Sequence, residues 1–200
     1  MASKSVQPVG GDAGTSGASF RDDEIEGGLP SLMVQGVVAA AVACVGEFIC
    51  APVYASMAHL AVVPWAMVAC LLAVAYTYIV GFALLWAAQS LSHGVRNARA
   101  LPFVYGGVGL FGFCAWGVFV LPAMVDSFAE PQGLAAMTTA QTVAAGFNCA
   151  VIGFVAFFLA KLAYPLLARR RGAVFTLGAL TPVAAAAGVF FLTRMYGALY

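Results

Sequence analysis

From residue 31 onward the chain is written in long apolar stretches broken by short polar ones. Five runs, at about 31–60, 62–90, 102–126, 141–168 and 172–198, each exceed the roughly 20 residues, at about 1.5 Å rise per residue, that an α-helix needs to cross a bilayer core. Their apolar positions are continuous and not alternating, which excludes the short two-sided strands of an outer-membrane barrel. The pattern predicts an all-α, polytopic membrane protein with five transmembrane helices in residues 31–200. No spacing of Gly, Pro or aromatic residues recurs among the runs, so no internal repeat is expected. Residues 1–30 are rich in Gly, Ser and Ala and end in RDDEIE. They lack the apolar content to fold alone and read as a disordered or docking tail; their layout is neither that of a secretory signal nor that of an Arg-rich transit peptide.

The polar breaks set the expected topology. The first two runs meet around Ala61 and the last two around ARRRG, connections short enough to predict two antiparallel helical hairpins. Pro52, Pro122 and Pro182 fall within runs, where each removes a backbone hydrogen bond and predicts a kink. Trp65, Trp86 and Tyr105 lie near run ends, the expected place of interfacial aromatics. Lys4, Arg21, Arg96, Arg99, Arg169, Arg170 and Arg171 all fall on one side if the N-terminus is inside, while Asp126 and Glu130 fall on the other and only Arg194 lies near the outer end. The positive-inside rule then predicts an N-in, C-out orientation. His93, Arg96, Arg99, Arg169, Arg170 and Arg171 form the basic inner face, solvated or in contact with lipid head groups.

Composition reinforces this picture and narrows the partners. Hydrophobic residues make up 63% and charged residues 8% of the 200, where a soluble domain carries about a quarter charged. The net charge of +1 gives no basic footprint for a nucleic acid. Expected partners are the lipid bilayer and other membrane subunits.

One residue breaks the apolar rule. Glu47 sits in VACVGEFICAP, where a charged group at mid-bilayer costs at least about 2.5 to 3.5 kcal/mol. On a helix it shares a face with Ala40, Ala43, Cys44, Cys50, Ala51, Tyr54 and Ala58, whereas Val38, Val42, Val45, Ile49 and Val53 lie opposite. Membrane helices meet through small residues, so Glu47 is expected to point into the bundle, with Ala43, Cys44 and Ala51 as packing positions. Counting from Ala61 puts Tyr76, Thr77 and Tyr78 level with it. A hydroxyl of Tyr76 or Thr77 is the expected hydrogen-bond partner, and an acid held only by hydroxyls is expected to be neutral at pH 7. Lys161 and Arg194 lie at other depths, so an ion pair is the lesser expectation.

The remaining chemistry is sparse. Gly106, Gly109 and Gly112 recur at three-residue steps and predict close helix packing more readily than a ligand surface. The five cysteines lie in apolar runs without C-x-x-C spacing and read as small core residues. His59 and His93 lie on opposite sides of the predicted membrane, so no metal site, cofactor or nucleophile–base pair is expected. Gln141 and Asn148 sit toward the outer end of the fourth run, where an amide is cheap and signals little. The leading expectation is a non-catalytic membrane subunit of a larger complex. The alternative is a small transporter or proton-coupled channel using Glu47 as its protonatable site.

Overall fold

The computed structural model describes residues 28–58, 61–95 and 97–197. The tail expected over 1–30 lies almost wholly outside them, as do His59 and Arg96. Among the described residues five long apolar helices make up the fold, and no strand occurs. They are α1 (Ser31–Ala58), α2 (Val62–Ser92), α3 (Leu101–Ala129), α4 (Thr139–Leu167) and α5 (Arg171–Gly197). All five are long and apolar enough to cross a membrane, with mean hydropathy between 1.9 and 2.3 in their most apolar stretches.

Local chemistry explains several boundaries. Thr138 and Gln141 open α4 with a reciprocal capping box: the Thr138 hydroxyl accepts from the Gln141 N–H at 3.3 Å, and the Gln141 side chain accepts from the Thr138 N–H at 2.8 Å. After α3 a short 3₁₀ turn, Glu130–Gln132, leads to Gly133 at φ 68°, a left-handed conformation that favours glycine. The Asp126 carboxylate then accepts from the Met137 N–H at 2.8 Å and ties the loop back to α3. Pro52, Pro122 and Pro182 lie inside continuous helices, as does Pro165 in α4. Within α2, residues Thr77–Gly81 form a wider π-helical turn.

Glycine placement decides which helices embrace. A methyl group on Gly109 of α3 would strike the Gly153 carbonyl of α4, and one on Gly153 would strike the Gly109 carbonyl. The two backbones therefore approach as closely as only glycine permits, and α3 and α4 form the most extensive helix pair. Gly188 of α5 lies in the same way against the Met67 carbonyl and Leu71 of α2. The Tyr78 and Thr181 hydroxyls add a link between α2 and α5 at 2.9 Å. Helix α1 packs against both α2 and α4.

Here the structure departs from the expected pairing of the last two helices. Past the turn at 168–170, α4 and α5 diverge and make little contact. The reason lies in the small residues: Gly146 and Gly153 of α4 face α3, while Gly188 of α5 faces α2. A short turn makes two helices neighbours in sequence, but it does not give them complementary faces.

Contacts fix the two ends of the bundle. At one end the Leu29 N–H donates to the Ala168 carbonyl at 3.3 Å, and Lys161 of α4 lies 5.0 Å from the ring centre of Tyr105 in α3. At the other, Trp65, Phe128 and Tyr196 pack ring against ring, with centroids 6.3 and 4.8 Å apart. Trp65 and Tyr105 are thus buried inside the bundle, and of the three aromatics expected at an interface only Trp86 is exposed. Val38, expected on the outer face of α1, is also buried. It stands in the stretch of α1 that α5 covers, where Val37 approaches Gly178.

Candidate functional site: a buried acid between two helices

Glu47 is 3% exposed and points into the bundle. Its companions on α1 divide as amphipathic geometry requires: Ala40, Ala43, Ala51 and Tyr54 are buried, Cys44 and Cys50 half-buried, and Val45, Ile49 and Val53 exposed. The polar partners come from α4. Cys149 donates its thiol to Glu47 Oε1 at 3.6 Å, and the Tyr54 hydroxyl lies 3.6 Å from the same sulfur. The Asn148 amide donates to the Tyr54 oxygen at 2.5 Å, while Cys50 donates its thiol to Asn148 Oδ1 at 3.5 Å.

A single directed chain results. Asn148 fills a lone pair of Tyr54, which leaves the Tyr54 proton for the Cys149 sulfur and the Cys149 proton for the carboxyl. Every donor thus runs toward Glu47, yet Glu47 Oε2 is buried without a hydrogen-bond partner. An ionised carboxylate at this position would be a buried charge with one weak thiol donor and, among the described residues, no ion pair. A protonated one would carry an O–H with nothing to receive it. In either form one polar atom goes unmet, which marks the site as one partner short.

Tyr76 and Thr77, the expected partners, are buried but engaged elsewhere. The Tyr76 hydroxyl donates to the Gly112 carbonyl of α3 at 2.7 Å, and its ring packs on Trp116 and Phe113 with centroids 4.5 and 5.0 Å away. Thr77 donates to the Ala73 carbonyl of its own helix at 2.7 Å. Depth alone does not decide partnership, because these residues lead into the π turn and Tyr76 is turned toward α3. Asn148 and Cys149 take their place. The same depth count applied to α4 finds them: Glu47 is about 16 Å along α1 from Ala58, and Asn148 about 14 Å along α4 from Thr139.

The other candidate residues are dispersed. Gly106 abuts the Phe154 ring of α4, Gly109 the Gly153 backbone and Gly112 the Leu84 side chain of α2, so the three glycines serve two different helices. Cys44 offers its carbonyl to the Cys70 thiol at 3.5 Å. His93, Arg99, Arg169, Arg170 and Arg171 are exposed at the end of the bundle where α1 begins, far from Glu47. Asn97 caps the short turn beside them by accepting from the Arg99 N–H at 3.0 Å. Among the described residues no three His, Cys, Asp or Glu side chains are placed to hold a metal ion.

The chain matches no known protein family, no characterised protein and no solved structure. The chemistry open to the site is what its side chains allow: holding or releasing one proton at Glu47, and orienting that group through Cys149 and Tyr54.

Proposed function

We propose that the chain is a multi-pass integral membrane protein, N-terminus inside and C-terminus outside, and that it serves as a non-catalytic subunit of a larger membrane assembly. The observation that carries this reading is α5. Its most apolar stretch is 17% buried, against 28 to 50% for the other four helices. Pro182 and Ala186 remain exposed on it, in a sequence, TPVAAAAG, whose small residues are the kind that membrane helices present to one another. Helix α2 covers one side of α5, and a helix of another subunit is the partner that the uncovered side suits. Native electrophoresis of the full chain solubilised in mild detergent tests this. Migration in a larger species that Ala186→Trp disperses is expected; migration of the native chain as a free monomer refutes it.

A second reading is favoured by the unmatched Glu47 Oε2. Here Glu47 is the protonatable site of a small transporter or proton-coupled channel, since intramembrane acids are functional candidates by default. Glu47→Gln in reconstituted vesicles separates the two: loss of proton flux supports this reading, and flux equal to that of the native chain removes it.

A further inference from the structure

We propose that the wedge between α1, α4 and α5 holds one acyl chain of an anionic phospholipid, whose phosphate rests on Arg169 and Arg170. The inference depends on the membrane reading above. Because α4 and α5 part beyond their turn, an apolar groove of about 390 Å³ opens between them and α1, lined by Val38, Ala41, Val42, Val45, Leu159 and Leu177. No polar side chain lines it, so it suits a hydrocarbon chain and not a peptide or a sugar.

Depth and charge select the occupant. Leu177 is about 9 Å along α5 from Arg171, and Leu159 about 12 Å along α4 from Leu167. The start of α1 is tied to that turn by the bond from the Leu29 N–H to the Ala168 carbonyl, so Val38 to Val45 stand roughly 10 to 21 Å above it. One leaflet of a bilayer core is about 15 Å deep, so a lipid with its phosphate at the turn lays its chain along the groove. Arg169 and Arg170 are exposed there. The acids of the described residues, Glu47, Asp126 and Glu130, all lie toward the opposite end. Guanidinium pairs with phosphate oxygens in bidentate geometry, which favours an anionic head group over one whose phosphate is already matched by its own ammonium. The tail carries four acids, Asp22, Asp23, Glu24 and Glu26, and their binding to the arginines in place of a phosphate is the outcome that the test must separate.

Native mass spectrometry of the full chain, extracted from carbonate-washed membranes and given equal amounts of phosphatidylglycerol and phosphatidylcholine with matched chains, tests the site. Preference for phosphatidylglycerol by roughly fivefold per arginine is expected. Arg169→Gln with Arg170→Gln should abolish most of that preference, and Ala41→Phe should reduce retention of both lipids by filling the groove. Equal retention of the two lipids by the native chain, as a tail seated on the arginines would give, overturns the proposal. So does a preference unchanged in the double Gln variant, or retention unchanged in Ala41→Phe. Release of the chain by the carbonate wash instead overturns the membrane reading on which the proposal stands.

Discussion

Adding one methyl group at Gly153 is the sharpest test of how α3 and α4 are held together. A Cβ at this position would lie 2.5 and 2.6 Å from Cβ and Cγ of Phe113, besides striking the Gly109 carbonyl. Carbon–carbon contacts settle at about 3.5 to 4.0 Å, so the helices must part by about 1 Å locally. Backbone cannot swing aside as a side-chain tip does, and a gap of that size forfeits about a quarter to a half of each contact's attraction. Overpacking of this kind costs about 1 to 3 kcal/mol, and the rigid obstacle places Gly153→Ala toward the upper end. The gain in helix propensity returns up to about 1 kcal/mol, leaving a net loss of about 2 kcal/mol. Gly107→Ala is the control: it lies on α3 near the same crossing, with nothing within 4 Å of its added methyl. It should be neutral or slightly stabilising. The measurement is unfolding of the purified chain by sodium dodecyl sulfate from mild-detergent micelles, followed by circular dichroism. Equal midpoints for the two variants, or a loss below about 0.5 kcal/mol for Gly153→Ala, would refute the close backbone crossing.

Further variants probe the caps, the core hydroxyls, the acid and the orientation. Thr138→Ala removes the α4 capping box and should cost about 1 kcal/mol, with faster amide exchange confined to the first turn of α4. Tyr76→Phe removes the bond to the Gly112 carbonyl and should cost about 0.6 kcal/mol and at most about 1.7, the range found for hydrogen bonds between membrane helices, in the same unfolding assay. Glu47→Leu should be neutral or stabilising within about 1 kcal/mol, because it replaces a carboxyl with one unmatched oxygen by an apolar group; a loss above about 2 kcal/mol would show that the acid locks the bundle. An N-in orientation predicts that a cysteine at Ala135 reacts with an impermeant maleimide from outside the membrane, whereas one at Ala98 does so only after permeabilisation.

The helices were legible from the sequence because their signal is one-dimensional: unbroken apolar length places α1 to α5 without reference to any partner. The direction of Glu47 was legible for a related reason, since Ala43 and Ala51 against Ile49 and Val53 form a contrast within a single helix. Partner choice is a relation between helices and leaves no such one-dimensional signal. Tyr76 shares the depth of Glu47 but bonds to α3, because depth fixes one coordinate and rotation about the axis fixes another. By residue type Asn148 and Cys149 are only a cheap amide and a small hydrophobe, although their depth on α4 matches that of Glu47. Trp65 and Tyr105 show the limit of residue type: both carry the signature of an interfacial aromatic, and both are buried because Phe128 and Lys161 stand against them.

The wide turn Thr77–Gly81 has a meaning for how α2 tolerates change. The buried positions Ala66, Cys70, Ala73, Thr77, Gly81, Leu85, Ala88 and Ser92 follow one line along the helix. A regular α-helix would overshoot that line by roughly 80° between Ala66 and Ser92. The π turn absorbs the excess, acting as a phase correction equivalent to one inserted residue. Deleting Ile79, itself exposed, should therefore cost much less than a core substitution, and inserting a residue beside it much more. The deletion would return the turn to α geometry and leave Leu85, Ala88 and Ser92 within about 20° of the line, whereas an alanine inserted beside Ile79 would add about another 100° and turn them off it. In this helix reading frame, more than any single residue, is what the fold must preserve.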